Sequence, residues 1–317
     1  MLYKTIKRLI ISIGCLFGLA IIVTVSAIKI TKSDFMLSLM RSHIKTQWVS
    51  GNASIMSRLN LLQHHMRFIG DRAWSSCMRN HEPVLTTQLF DYSVKFTDHI
   101  ALQFLFHEIF DKETYRFSCV HDKPFIIDCG SNIGLSILYF KMRYPQANVI
   151  GFEPDDITFG LLAENIKNNN LHDVQLVKKA LSDHEGTITF YTNNTGGDPG
   201  MNMFAPHGSC HTKKTVPVTQ LSAYIDRPVD FLKIDIEGAE TTVLVELAQT
   251  GKIKFIKEMV IEYHHHMHDT DNDSMSKILK TLEDNGFGYQ LKLDDHAAFT
   301  QKSKQYPLIY AYQKVNK

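Results

Sequence analysis

The chain has 317 residues, 44% of them hydrophobic, which is enough for one large domain with a full core plus accessory segments. Its formal net charge is only +1, and no basic stripe interleaved with aromatics occurs. Nucleic acid is therefore excluded as the default partner, leaving an uncharged or mixed ligand.

Leu9 to Ile28 is a twenty-residue run without a charge, the length a helix needs to cross a bilayer. Lys4, Lys7 and Arg8 precede it and Lys29 and Lys32 follow, so the charge bias that would set orientation is weak. Val25-Ser26-Ala27 resembles a signal-peptide cleavage site, which makes a cleaved leader the rival reading. The run's length favours an uncleaved anchor over residues 1–30. Five cysteines show no metal-ligand spacing. A Cys77–Cys119 bridge fits an extracytoplasmic domain, and buried free thiols are the more ordinary reading.

Residues 31–122 read as a helical and irregular stem or cap. Phe35 to Trp48, Ile55 to Ile69 and Asp98 to Phe110 carry apolar residues at three- and four-residue spacing. From Pro124 the pattern becomes alternating strands and helices, defining a domain over 123–317. Strands are expected at Phe125–Ile127, Asn148–Phe152, Val174–Val177, Val229–Ile236, Lys257–Glu262, Tyr289–Leu293 and Leu308–Gln313. Thr187–Tyr191 is expected as an added hairpin strand. Helices are expected at Ile133–Arg143, Thr158–Asn168, Ala239–Gln249 and Met275–Asp284, the last stopped by Asn285-Gly286. Such alternation predicts an α/β fold, a mostly parallel Rossmann-like sheet with helices on both faces. Ligands of that architecture lie beyond the carboxyl ends of the strands.

Four strand ends carry candidate chemistry. The first reads Asp128-Cys129-Gly130-Ser131-Asn132-Ile133-Gly134. Its glycines let backbone approach a ligand, but Asn132 stands where a dinucleotide fingerprint has its middle glycine. A pyrophosphate needs exposed amides at a helix N-terminus. The departure therefore favours a cofactor without phosphate, beside which Asp128 is an acidic neighbour. The second strand ends Gly151-Phe152-Glu153-Pro154-Asp155, where the two oxygens of Glu153 suit the hydroxyls of an adenosine ribose. After the third, Ala180-Leu181-Ser182-Asp183 is placed to line an adenine pocket.

The fourth is Lys233-Ile234-Asp235-Ile236-Glu237-Gly238-Ala239-Glu240, in which alternation sets Lys233, Asp235 and Glu237 toward one side if extension persists. Ionisable groups at the productive end of a strand favour a functional site. Glu240, in a first helical turn, is explained by the helix dipole alone. In Glu262-Tyr263-His264-His265-His266, an extended chain puts Glu262, His264 and His266 on one face, which resembles a metal site. A general base from Glu262 or His264 is the preferred reading, and no metal is assigned. A simple pairing of Glu262 with Lys233 on the neighbouring strand is the structural alternative. Asn193 to Thr215 is long for a loop, fitting either an acceptor lid or a plain surface loop.

Taken together, IIDCGSNIG, GFEPD, LKIDIEGAE and IEYHHH resemble the FkbM family of methyltransferases over about Pro124 to Gly286. HEIFDKETYRF resembles a subfamily pattern upstream. The resemblance implies a class I methyltransferase fold, S-adenosyl-L-methionine as donor, and methylation usually of an oxygen. It implies a donor site of Asp128, Gly130, Asn132, Gly134 and Glu153, joined by Ser182. Asp235, Glu237, Glu262 and His264 would border the acceptor, with Asp235 or a Glu262–His264 pair as base and Lys233 orienting a carboxylate. A glycan, lipid or small-molecule acceptor is expected, with the membrane as a partner through the N-terminal run. The rivals are a membrane-anchored binding protein without turnover and a nucleotide-dependent oxidoreductase, which Asn132 argues against.

Overall fold

A computed structural model describes residues 60–65, 67–68, 84–192, 212–264, 275–293 and 306–314. The apolar run Leu9–Ile28, the helix expected at Phe35–Trp48, part of that at Ile55–Ile69, and His266 lie outside them. Among the described residues no helix is long and apolar enough to cross a membrane. The chain divides into two compact units, residues 1–85 with 98–114, and residues 86–97 with 115–317.

In the first unit, residues 60–65 are helical, and α1 (His99–Phe106) runs into a π-helical turn, His107–Asp111. Asp98 caps α1 by accepting from the amides of Ile100 and Ala101.

The second unit opens with a hairpin, β1 (Leu85–Leu89) and β2 (Tyr92–Phe96), inside the region expected to be helical and irregular. Its cause is period-two burial: Thr87, Leu89, Val94 and Phe96 are buried while their neighbours are not. The free edge of β2 is satisfied by side chains of α3, described next. Asn165 and Asn169, one helical turn apart, each accept from and donate to the backbone of Lys95 and Ser93 respectively, at 2.7–3.0 Å. Two amides thus stand in for a neighbouring strand.

The main body alternates as expected: β3 (Phe125–Cys129), α2 (Leu135–Arg143), β4 (Asn148–Phe152), α3 (Asp156–Asn168) and β5 (Val174–Val177). After three strands of a separate sheet it resumes with β9 (Val229–Ile234), α4 (Glu240–Gln249), β10 (Ile256–Glu262), α5 (Met275–Asp284), β11 (Phe287–Lys292) and β12 (Leu308–Gln313). The sheet order is β11-β12-β10-β9-β3-β4-β5. Strands β5, β4, β3, β9 and β10 are mutually parallel, and β12 runs antiparallel between β10 and β11. The sheet is therefore mixed. Both of its faces are covered. Ile127, Leu232, Ile234 and Ile261 pack with Val243 and Leu244 of α4 and Ile278 and Leu282 of α5. Phe231, pointing the other way from Leu232, meets Phe140 of α2 at 5.8 Å and stacks on Phe117 at 4.5 Å. Burial on both faces is why β9, buried at every position, is apolar except at Asp230 and Lys233.

The expected hairpin strand forms β7 (Gly186–Thr192), but in a second, three-stranded sheet β6-β8-β7, with β6 at Ala180–Ser182 and β8 at Thr212–Gln220. The loop expected over Asn193–Thr215 thus ends sooner, because residues 212–215 are strand. Residues 193–211 lie outside those described.

Candidate active site

Strand order reverses between β3 and β9: the chain leaves β3 toward β4 and β5, then returns to lay β9 on its other side. At this switch point the loops after adjacent strands diverge and leave a crevice. The Gly130 turn follows β3, Glu153 follows β4, Asp235 follows β9 and His264 follows β10.

The turn after β3 is built from left-handed residues, Gly130 (φ 89°), Asn132 (φ 47°) and Gly134 (φ 95°). Gly130 is required twice over. Besides its φ, a Cβ there would stand 1.8 Å from the carbonyl oxygen of Asp235. The turn and the Asp235 segment are consequently in direct backbone contact. Amides of Gly130 and Ser131 donate to the Phe152 carbonyl, and Glu153 accepts from the amides of Asn132 (3.1 Å) and Asp155 (2.9 Å). Burial pushes the Glu153 carboxyl up to about 8, its two amide bonds notwithstanding. Each carboxylate oxygen keeps a further lone pair for a ligand hydroxyl.

Asp128 and Lys233 are direct neighbours in the β3–β9 register and share the α2 face of the sheet. Lys233 Nζ lies 3.3 Å from Asp128 and 3.3 Å from Asp235, and donates to the Gly130 carbonyl at 2.7 Å. Asp128 also accepts from Ser136 Oγ. Burial opposes charge on Lys233, but Asp235 and Asp128 together raise its pKa above that of a free lysine. Both residues are sealed from solvent. Asp128 is thus a fixed part of the turn's foundation, and Lys233 bolts turn to strand. The alternative pairing of Lys233 with Glu262 does not occur: Lys233 stands opposite Val260 of β10.

The residues expected to border the acceptor converge, though not by strand alternation. Strand β9 ends at Ile234, and Glu237 sits in a left-handed conformation (φ 56°) that turns it back toward His264. His264 Nε2 lies 3.4 Å from Glu237, 3.9 Å from Glu262 and 4.0 Å from Asp235. Its Nδ1 meets Glu240 at 2.9 Å. Burial works against charge on His264, yet Glu240, Glu237 and Asp235 raise it well above the ordinary histidine value. Burial likewise tends to raise Asp235, but Lys233 and His264 hold it below the usual carboxylate range. Glu237, buried among carboxylates, is pushed up to about 8. Asp235, Glu237 and His264 also form a set able to hold a cation, with no feature beyond their chemistry to indicate one.

Sequence reasoning missed three members. Glu240 accepts from the amides of Ile236 and Gly238 as well as meeting His264, so it closes the loop and sets the imidazole. Its place right after a glycine turn was the available signal. Tyr115 donates to Asp235 at 3.3 Å, and its ring lies 5.1 Å from Lys233 Nζ. Tyr306 covers the His264 ring with centroids 4.5 Å apart. Ser182, by contrast, bonds within its own turn to Asp183 and His184, each at 3.3 Å.

Residues 128–289 match the family model described as Methyltransferase FkbM domain. Methyltransferase sdnD of Sordaria araneosa is 30% identical over 177 residues, spanning 46% of this chain and 68% of that protein. The 31-O-demethyl-FK506 methyltransferase FkbM of Streptomyces tacrolimicus is 26% identical, over 63% of this chain and 86% of its own. A crystal structure of methyltransferase FkbM from Methylobacillus flagellatus KT aligns with a TM-score of 0.42 at 16% identity, over 87% of this chain and 58% of that one.

Proposed function

Because the chain belongs to the FkbM methyltransferase domain family, we propose that it transfers a methyl group from S-adenosyl-L-methionine to a hydroxyl oxygen of a glycan, lipid or small-molecule acceptor. One observation carries the reading: the Asp235 carbonyl presses against Gly130, so a donor-binding turn and a proton-accepting segment share one wall. Oxygen as the methylated atom is supported by the Streptomyces relative, whose name specifies a 31-O-demethyl substrate.

The residues fit such a donor. Gly130, Asn132 and Gly134 expose backbone without the amide nest a pyrophosphate needs, and the free lone pairs of Glu153 suit ribose hydroxyls. When bound, the donor supplies a methyl group already activated on a sulfonium. Catalysis then rests on holding the acceptor oxygen in line and taking its proton as attack proceeds. Asp235 is the proton acceptor, since Lys233 and His264 hold it toward its ionised form while Glu237 and His264 are shifted toward their protonated forms. Glu240 fixes His264, whose Nε2 faces Asp235, Glu237 and Glu262 and orders them around the acceptor. The run Leu9–Ile28 acts here as an anchor at a membrane surface, which inclines the acceptor toward a glycan or lipid.

The test is transfer of tritiated methyl to a panel of hydroxyl-bearing acceptors by the full chain. Label in an alkali-stable ether is expected, with turnover falling about 100-fold or more in Asp235→Asn. Label released by mild alkali would instead mark a carboxyl acceptor, and full turnover in Asp235→Asn would remove it as base.

A further inference from the structure

Outside the strand-end cluster, the described residues hold two further groups of metal-ligating side chains, of which one is buried throughout. His65, His107 and Asp111 lie together in the unit of residues 1–85 and 98–114. His107 and Asp111 are the two ends of the π-helical turn, and His65 comes from the helical residues 60–65. A π-turn widens the helical ladder and re-aims its side chains, and such turns recur at functional sites. Here it brings His107 Nδ1 to 2.8 Å from Asp111 Oδ2, while His65 Nε2 approaches the same oxygen at 2.5 Å. Three ligand atoms from two segments converge on one point.

The surroundings are apolar. All three residues are at most 2% exposed. Phe68 and Phe106 stand edge-on to the His65 ring, and Phe110 stacks on Phe106. Gln103, fully buried, sets its amide nitrogen 3.4 Å from the other ring nitrogen of His65, Nδ1, while its amide oxygen, also buried, has no hydrogen-bond partner among the described residues. Exchanging the two amide atoms, which are alike in shape, gives that oxygen a partner in Nδ1–H and leaves the Nε2 lone pair directed at Asp111. That is the outer-shell arrangement which fixes the tautomer of a metal-bound histidine.

We propose that His65 Nε2, His107 Nδ1 and Asp111 Oδ2 are three ligands of a buried, structural divalent-metal site of the zinc type. Two imidazoles and a carboxylate suit zinc, and three protein ligands leave one tetrahedral position for water or a further side chain. Zinc-ligand distances of about 2.0–2.2 Å require the nitrogens to withdraw from Asp111 by somewhat less than about 1 Å. The site is independent of the methyl-transfer reading.

The full chain is loaded with zinc, dialysed against metal-free buffer and assayed by plasma mass spectrometry. One retained equivalent is expected in the wild type, lost in Asp111→Asn and His65→Gln, and kept in the double variant His264→Gln/His266→Gln. Gln103→Leu is expected to weaken zinc about 10- to 100-fold. X-ray absorption of the loaded wild type should show nitrogen and oxygen ligands, two of them imidazole, and no sulfur. This reading and the Gln103 variant decide the matter even if Asp111→Asn fails to fold. A wild type without stoichiometric zinc, an equivalent that survives in Asp111→Asn, or sulfur in the shell would overturn the proposal in favour of a plain His–Asp–His hydrogen-bonded cluster.

Discussion

Replacing Gly130 by alanine probes the contact on which the site is built. At φ 89° an added Cβ brings a backbone penalty of about 1–2 kcal/mol. The same Cβ would stand 1.8 Å from the Asp235 carbonyl oxygen, which is backbone and must shift bodily, adding an overpacking cost of about 1–3 kcal/mol. The sum, about 2–5 kcal/mol, is a large share of the roughly 5–15 kcal/mol that holds a domain folded. Gly251 separates the two contributions: its φ is 72°, yet nothing lies within 4 Å of where its Cβ would be. Urea unfolding of the full chain should therefore show Gly251→Ala losing only the backbone share, and Gly130→Ala clearly more. S-adenosylhomocysteine affinity should fall at least tenfold in Gly130→Ala alone. Equal losses in the two variants, with donor affinity intact, would refute the claim that the turn and the Asp235 segment are locked together.

Other consequences follow from the same geometry. Glu240→Gln keeps the side-chain volume but removes the charge held 2.9 Å from His264 Nδ1, so turnover should fall about 10- to 100-fold while donor affinity, read by calorimetry, stays within a few-fold. Glu237 is raised from 4.5 to about 8, so between those values the unfolded chain gives up its proton first and this group's share of stability declines as pH rises. Glu237→Gln should flatten part of that decline in melting temperature measured from pH 5 to 8, and an unchanged slope would contradict the assignment. Asn165→Ala removes bonds to Lys95 N, Lys95 O and Ile133 O at once, and chemical denaturation should show a loss of about 2–4 kcal/mol.

The sheet was legible because its central strands β3, β4 and β9 are buried on both faces and its helices carry ordinary stop signals. Asn148–Phe152, Val174–Val177, Met275–Asp284 and Leu308–Gln313 fall where the pattern sets them. The location of the candidate site was legible for a related reason: switch-point architecture leaves a crevice just after particular strands, and those positions hold Gly130, Glu153, Asp235 and His264. Long-range geometry was not. The β1–β2 hairpin is completed by asparagines some seventy residues away. No local pattern marks Tyr115 or Tyr306 as neighbours of Asp235 and His264. Glu237 reaches His264 through a left-handed turn that alternation cannot anticipate. Lys233 and Asp128 show the same limit: their residue types signalled chemistry, and their register made them a buried brace.

The central claim is a donor site on the Gly130 turn with Glu153 at its ribose end, and calorimetry of the full chain with S-adenosylhomocysteine tests it most directly. Micromolar binding by the wild type, reduced at least tenfold in a folded Glu153→Ala variant, is the predicted result. A folded wild-type chain that binds no S-adenosylhomocysteine, or a Glu153→Ala variant that binds it as tightly, would contradict the account.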